Sequence, residues 1–184
     1  MNNKKIDENI GLIHIYTGDG KGKTSICIGS AIRALGQKMK VYFIQFQKGQ
    51  NSGEINVLQD LKNLDLKRVC TSKTFYYYMS DEEKEAYAKE HKNAFLALVE
   101  EIKENPDKYD MLILDEILGL VSLDIISNKE LLDFLRDKPK KLEVLLSGRR
   151  ASQELIDIAD YVSDLKAIKH PFTKNISGRR GIEY

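Results

Sequence analysis

The sequence predicts an α/β protein with a mainly parallel sheet of about six strands and helices on both faces. Strand-like and helix-like segments alternate along the 184 residues, which is the pattern of βαβ units. The strand candidates are near-continuous apolar runs, as expected for a sheet that is covered on both sides. In such sheets the ligand site lies at the carboxyl ends of the strands. Polar residues that directly follow the strands are therefore expected to converge.

Hydrophobic pattern and capping residues place the individual elements. Helix boundaries are indicated by Ser80 with Glu83 and Ser127 with Glu130, which have the S-x-x-E form of a capping box, and by Gly36, which is suited to end a helix. Strands are expected at the apolar runs 12–16, 41–46, 66–70, 111–114, 142–146 and 162–168. Helices are expected at 24–35, 80–103, 127–136 and 152–159, with loops at 49–53 and from residue 170 onward.

The segment after the first strand predicts a phosphate-binding loop. It reads TGDGKGKT over residues 17–24, so that a strand, a glycine-dense turn, Gly-Lys-Thr and a helix follow one another in the required order. The glycines let backbone N–H groups point inward, and the helix N-terminus adds partial positive charge. Lys23 supplies a full positive charge, and the Thr24 hydroxyl is suited to a phosphate-bound Mg²⁺. With the alternating elements, this loop predicts a three-layer P-loop (RecA-like) fold.

The loop departs from the usual spacing, G-x-x-x-x-G-K-[ST]. That spacing places a glycine where this chain has Thr17, and the first glycine, Gly18, comes one residue later. Asp19 also puts a carboxylate close to the expected phosphates. The alternative interpretation is a glycine-rich hairpin with an incidental Lys-Thr.

Further candidate residues follow the other strands. Asp115 and Glu116 end an apolar strand, as expected of a Walker B element that holds Mg²⁺ directly or through water, although Asp115 is also suited to cap the next segment. Gln45 lies at the end of the second strand. The alternative interpretation is that the strand simply passes into a loop there and that Gln45 has no ligand. Arg149 follows the fifth strand, where it either reaches a phosphate or lies in a solvated turn.

Residues 75–78 are four consecutive aromatic side chains just before a predicted helix. Four in a row are too many for one face of a strand. Two interpretations stay open: the segment packs in the core or acts as a lid, or it forms an apolar wall for a large flat ligand.

Composition limits the function classes. The net charge of +1 offers no broad electrostatic surface for nucleic acid. The two cysteines are far apart and have no CxxC partner, so neither a cysteine zinc site nor a disulfide framework is indicated. No segment has the form of a signal peptide or a membrane span, and a cytoplasmic protein without membrane partners is expected. Residues 1–9 are expected to be a flexible extension of a single domain, residues 10–184.

Taken together, these segments resemble the P-loop family of ATP:corrinoid adenosyltransferases from about residue 10 to the end. The matching stretches are TGDGKGKTS (17–25), VYFIQFQKG (41–49), LILDE (112–116), LSGRR (146–150), ELIDIADYVSDLKAIKHPF (154–172) and GIEY (181–184). The shifted glycine spacing is itself a feature of that family. The chain departs from it at Asp19, where the family usually has Asn, at Ser25, where Thr is usual, and at Tyr77, which stands in place of a Trp.

The resemblance implies that a cobalt(I) corrinoid, either cobalamin or a cobyrinate-type precursor, attacks the 5′ carbon of ATP and that triphosphate leaves. Lys23 would stabilise the leaving group, and Phe75 and Tyr77 would displace the lower axial ligand of the corrinoid. Thr24 and Glu116 would bind Mg²⁺ or Mn²⁺, with Asp115 in support. The residues expected to bind ATP are Gly18, Asp19, Gly20, Lys21, Gly22, Lys23, Thr24, Ser25, Arg33, Gln45 and Arg149.

The family also implies a homodimer and a flavoprotein reductase as electron donor. Two other functions remain open from the residues. One is a P-loop NTPase or kinase that cleaves the γ-phosphate of ATP, and the other is a nucleotide or corrinoid sensor without turnover.

Overall fold

One parallel sheet organises the part of the chain that the computed structural model describes, residues 10–49, 52–69, 72 and 74–183. Its six strands are β1 (Ile13–Thr17), β2 (Val41–Gln45), β3 (Leu64–Arg68), β4 (Met111–Asp115), β5 (Glu143–Ser147) and β6 (Tyr161–Asp164). They lie in the order β3-β2-β4-β5-β1-β6, and every neighbouring pair is parallel. The predicted fold class, with about six parallel strands, is confirmed.

Helices cover both faces of this sheet. They are α1 (Lys23–Gly36), α2 (Gly53–Leu58), α3 (Asp81–Glu104), α4 (Ile117–Ser122), α5 (Asn128–Asp137) and α6 (Gln153–Ile158). Alternate strand residues divide between two apolar clusters: α1 and α2 pack on one face of the sheet, and α3 to α6 pack on the other. In β2, for example, Phe43 belongs to the first cluster and Ile44 to the second. This alternation follows from the two-residue period of strands and produces the three layers.

Both predicted capping boxes form. The backbone N–H of Glu83 donates to Ser80 Oγ at 3.2 Å, and the Glu83 carboxylate accepts from the backbone N–H of Ser80 at 2.8 Å. The same reciprocal bonds join Ser127 and Glu130. They satisfy N–H groups that have no partner inside the helix, so α3 and α5 begin where the sequence places them.

Several predicted boundaries are wrong in detail. β1 lies one residue later than predicted and β3 two residues earlier; the predicted end of β3, Cys70, is outside the described residues. β6 ends at Asp164 instead of residue 168, because Leu165 leaves the strand to contact the glycine loop: its N–H donates to Thr17 O, and its carbonyl accepts from Gly20 N–H.

Two short helices were not predicted. α2 begins at Gly53, the end of the predicted loop, and α4 begins directly after Glu116. Each has six residues, which is too short for a hydrophobic period to stand out. Among the described residues, no helix combines the length and the apolarity needed to cross a membrane. The predicted extension, residues 1–9, lies outside the described part of the chain.

Candidate active site

The carboxyl ends of four adjacent strands form the floor of the site. Gln45 in β2 is paired in register with Asp115 in β4, and Tyr16 in β1 is paired with Ser147 in β5. Because β4 and β5 are also neighbours, residues more than 100 positions apart in sequence meet at one edge of the sheet. The predicted convergence of the strand ends is therefore observed.

Lys23 lies folded across the glycine loop at the start of α1. Its ammonium donates to the carbonyls of Gly18 at 2.6 Å and Gly20 at 2.9 Å, and the residue is only 7% exposed. Burial lowers the pKa of this amine, while Glu116 nearby acts in the opposite direction. The helix N-terminus beside it adds partial positive charge. Lys23 is thus held among weak neutral acceptors, which a phosphate oxygen can replace.

Gly22 makes the turn that starts the helix. Its φ of 118° is a conformation that residues with a side chain rarely adopt. Gly18 has a similar backbone conformation, φ 101°, and a Cβ there would in addition collide with Asp164 and with the backbone of Leu165. The glycine loop is therefore shaped by the strand edge that packs against it as well as by its own turn.

Asp115 is the centre of the polar network below the loop. The residue is fully buried. Its carboxylate accepts from Thr24 Oγ1 at 3.1 Å to each oxygen, from Ser147 Oγ at 2.6 Å and from Gln45 Nε2 at 3.3 Å. Gln45 is equally buried and does not line the cavity, so it contacts Asp115 instead of facing a ligand directly. The network fixes the Asp115 carboxylate against the hydroxyl of Thr24.

Glu116 faces the cavity from a left-handed backbone conformation, φ 63°. Its N–H donates to Ser147 Oγ at 2.9 Å, and the same hydroxyl donates to Asp115, so Ser147 links the two acids. Burial, and then repulsion from Asp115, raises the pKa of the Glu116 carboxyl, while Lys48, Lys23 and Arg149 lower it. Two close carboxylates of this kind are costly unless a cation neutralises them.

The oxygens of Thr24, Asp115 and Glu116 fit a hard divalent cation. The described residues contain no group of three or more His, Cys, Asp or Glu placed to hold a metal ion. The protein thus offers only part of a coordination shell, and the remaining ligands would be phosphate and water oxygens. That division is typical of Mg²⁺ bound together with a nucleotide.

Lys48 belongs to this centre and was missed by the sequence reasoning. Its ammonium donates to Thr24 Oγ1 at 2.6 Å and to Asp115 Oδ2 at 3.1 Å. The residue lies just beyond the predicted strand exit of β2. The sequence did indicate that Lys48 follows the end of a strand, where site residues are expected. A lysine before a glycine is, however, equally typical of a solvated loop.

A cavity of about 520 Å³ opens above this floor. Predicted binding or metal residues that line it are Asp19, Gly20, Lys21, Gly22, Lys23, Thr24, Ser25, Glu116 and Arg149. Asp115 and Gly18 lie outside the lining and bond to residues within it, Thr24 and Lys23. Gln45 also lies outside the lining, and it bonds to Asp115. Arg149 forms an exposed ion pair with Asp19, at 3.6 Å.

The C-terminal segment closes one side of the cavity. Lys21 Nζ donates to Glu183 Oε1 at 3.0 Å and to the carbonyl of Ile182 at 3.3 Å. Glu183 also pairs with Arg179, and these bonds hold its pKa at about 2. The sequence signal was the terminal GIEY, which formed part of the resemblance but had no assigned chemistry; Tyr184 itself is outside the described residues.

Three further predicted residues lie outside the cavity lining, and no hydrogen bond described above joins them to it. Arg33 is exposed in the last turn of α1, ten residues beyond Lys23 and hence about 15 Å along the helix. Phe75 and Tyr77 are 69% and 79% exposed, whereas Tyr76 between them packs against the core beside Tyr87. One aromatic side chain thus anchors the segment, and its neighbours present apolar surface to solvent.

The aromatic segment is nevertheless tied to the cavity edge. The carbonyl of Lys48 accepts from Arg68 Nη2 at 2.6 Å. The backbone of Ser72 occupies the space that a side chain at Gly49 would need. The chain leading to Phe75 therefore packs directly against the loop that carries Lys48.

Comparisons with known proteins agree on one family. A family model described as ATP:corrinoid adenosyltransferase BtuR/CobO/CobP matches residues 9–184. The corrinoid adenosyltransferase of Escherichia coli (strain K12) is 30% identical over 175 residues, which are 95% of this chain and 86% of that protein. The corrinoid adenosyltransferase CobA of Salmonella typhimurium (strain LT2) is 30% identical over 178 residues, 96% of this chain and 87% of that protein.

Two further matches are a third relative and a solved structure. A corrinoid adenosyltransferase of Sinorhizobium sp is 31% identical over 182 residues, 98% of this chain and 83% of that protein. Among solved structures, C. elegans PCH-2 aligns with a TM-score of 0.39 and 19% identity, over 90% of this chain and 38% of that one, which is too distant to support a conclusion.

Proposed function

The chain belongs to the ATP:corrinoid adenosyltransferase family, and we propose that it transfers the 5′-deoxyadenosyl group of ATP to the cobalt of a cobalt(I) corrinoid with release of triphosphate. Membership of the family makes the protein a transferase whose substrates are ATP and a corrinoid. The observation that carries the finer proposal is the position of Lys23, buried in a glycine loop beside the oxygens of Thr24, Asp115 and Glu116.

In this reaction cobalt(I) donates an electron pair to the 5′ carbon, and the bond from that carbon to the triphosphate oxygen breaks. The leaving triphosphate takes the electron pair of that bond, and cobalt becomes formally cobalt(III). Cobalt(I) is already a strong nucleophile, so the site needs no general base. What the protein must supply is orientation and stabilisation of negative charge on the leaving group.

Lys23 and the start of α1 are suited to that task. The ammonium exchanges two neutral carbonyl acceptors for charged phosphate oxygens, which are stronger hydrogen-bond partners. Thr24 and Glu116 would hold Mg²⁺ or Mn²⁺, and Asp115 would orient the Thr24 hydroxyl. The bound ion would neutralise part of the triphosphate charge.

Phe75 and Tyr77 are proposed to contact the lower face of the corrinoid. Their exposure supports this role, because side chains packed in the core would not be available to a second substrate. An apolar wall disfavours a water ligand on that face of the cobalt, since the water would lack hydrogen-bond partners. Cobalt(II) without a lower ligand is easier to reduce.

The remaining parts of the proposal have two sources. The homodimer and the flavoprotein reductase as electron donor come from the family, whereas the single domain over residues 10–184 and the cytoplasmic location are carried over from the sequence expectations. The family match over residues 9–184 supports the domain assignment.

The decisive experiment is product analysis with ATP, Mg²⁺ and chemically reduced cobalamin. Equal amounts of adenosylcobalamin and triphosphate are expected, and Lys23→Ala should form neither. A reaction that yields ADP and orthophosphate without a carbon–cobalt bond would instead identify a γ-phosphate-cleaving NTPase and overturn the proposal.

A further inference from the structure

The ammonium of Lys48 lies among the oxygens that would bind a divalent cation. It is 2.6 Å from Thr24 Oγ1 and 3.1 Å from Asp115 Oδ2. Its charge also acts on the nearby carboxyl of Glu116. The Thr24 hydroxyl donates to Asp115, and both residues accept from Lys48. One lone pair of Thr24 Oγ1 and one of Asp115 Oδ2 are therefore already directed at a positive charge.

An ammonium and a divalent ion cannot both occupy this position. Each requires the same oxygen lone pairs, and two cations at such a separation repel each other strongly in a partly buried site. The Asp115 carboxylate is fully buried, and Lys48 is its cationic partner in this network. A buried carboxylate without a counter-charge is unfavourable, so Lys48 has a clear role when no metal is bound.

The side chain of Lys48 is placed so that it can leave. It is 30% exposed and lines the cavity, whereas its backbone carbonyl is held by Arg68. The long flexible stem of a lysine allows the ammonium to move while the backbone stays in place. A phosphate oxygen in the same cavity would be its next partner.

We propose that Lys48 is an internal, displaceable cation, which occupies the divalent-metal position in the free protein and is exchanged for the metal when the metal binds, with or without nucleotide. This rests on the metal-binding part of the proposed function. It makes Lys48 a positioning residue in the free protein, because it keeps Thr24 and Asp115 in the arrangement that the metal requires. Release of the Lys48 ammonium from these oxygens is then part of the free-energy cost of metal binding.

The test measures binding of Mn²⁺ alone by electron paramagnetic resonance, without ATP or corrinoid. Lys48→Met keeps most of the apolar stem and removes the competing charge, so Mn²⁺ should bind about five- to tenfold more tightly than to the wild type. Lys92→Met is the matched control: it removes the same charge from an ion pair with Glu130 on the helices α3 and α5, and Mn²⁺ affinity should stay unchanged. Unchanged or weaker Mn²⁺ binding by Lys48→Met would overturn the proposal.

A double variant locates the effect. Adding Glu116→Gln to Lys48→Met should abolish the gain in Mn²⁺ affinity, because the carboxylate is then missing from the site. A gain that survives in the double variant would place the ion elsewhere and would also refute the exchange.

A second measurement uses the unmodified protein and covers the case in which Lys48→Met does not fold. Acetylation of lysine amines, read by peptide mass spectrometry, should label Lys48 faster at saturating Mn²⁺ than without metal, with Lys92 as internal reference. Equal labelling of Lys48 in both conditions would refute displacement. Since no step uses corrinoid or ATP turnover, a failure of adenosyl transfer would be separable from a failure of cation exchange.

Discussion

The two neighbouring acids at the end of β4 should differ in how neutralisation changes the free energy of unfolding. Asp115→Asn replaces one acceptor oxygen by an NH₂ group inside a network of four donors: Thr24, Ser147, Gln45 and Lys48. Whichever way the amide turns, it faces donors that it cannot satisfy. Lys48 is partly exposed and regains water, but the Gln45 amide is buried and does not.

The expected cost follows from these contacts. Hydrogen bonds to a buried charged group are each worth about 1.5–3 kcal/mol, and rehydration of Lys48 returns part of the loss, so Asp115→Asn should lower the free energy of unfolding by about 2–4 kcal/mol. The assay is urea unfolding at pH 7 without nucleotide or divalent metal. A loss below about 1 kcal/mol would refute the assignment of Asp115 as the buried centre of the network.

Glu116→Gln is the matched neighbour. In the wild type, the pKa of the Glu116 carboxyl is raised by burial and by repulsion from Asp115. A group whose pKa is raised on folding favours the folded state below its unfolded pKa, and that contribution is lost as the pH rises through the folded value. At pH 7 the charged Glu116 carboxylate therefore destabilises the folded wild type. Glu116→Gln removes this charge and should leave the free energy of unfolding unchanged or raise it. A destabilisation equal to that of Asp115→Asn would contradict the argument.

Three further outcomes are expected. Lys23→Ala should abolish adenosyl transfer while the circular dichroism spectrum stays native, and turnover at the wild-type rate would refute the phosphate-loop assignment. Phe75→Ala, at a mostly exposed side chain, should change stability by less than about 0.5 kcal/mol. It should slow the reaction from cobalt(II) far more than from pre-reduced cobalt(I), and equal losses would argue against contact with the lower face. The Glu130 carboxylate accepts from Lys92 and from Ser127 in the capping box of α5. These bonds hold the pKa of Glu130 at about 2, against 4.5 for a free carboxyl. Glu130→Gln should cost about 1 kcal/mol at pH 7, and urea unfolding should show this difference shrinking as the pH falls from about 4.5 toward 2.

Local patterns in the chain predicted most of the architecture. The capping boxes at Ser80 and Ser127 located the starts of α3 and α5, because the residues that satisfy a helix start lie within four positions of one another. The helices α2 and α4 escaped prediction because six residues span fewer than two turns and neither helix has a side-chain cap, whereas the equally short α6 is capped by Ser152. The early end of β6 depends on Leu165 bonding to the glycine loop, a contact between distant parts of the chain.

The candidate site was predictable in its types of residue and less so in their partners. The glycine loop, Asp115 and Glu116 were recognised because their spacing relative to strands carries the chemistry. Gln45 was expected at the ligand, yet it lies buried against Asp115. Arg33 was expected to bind ATP, yet it lies outside the cavity lining. For both residues the direction of the side chain depends on the packed sheet and helix, which no spacing rule encodes.

The parallel α/β fold, the phosphate-binding loop and the acid pair can be derived from the order of amino acids, since each arises from neighbours within a few positions. The contacts of the Lys48 ammonium with Thr24 and Asp115, and those of the C-terminal segment with Lys21, cannot. Lys48 reaches Asp115 across 67 positions, and Lys21 reaches Glu183 across 162. Such ion pairs leave no periodic pattern in a single chain. The first exists only because the sheet brings the ends of β2 and β4 to one edge, and the second because the C-terminal segment returns to the glycine loop.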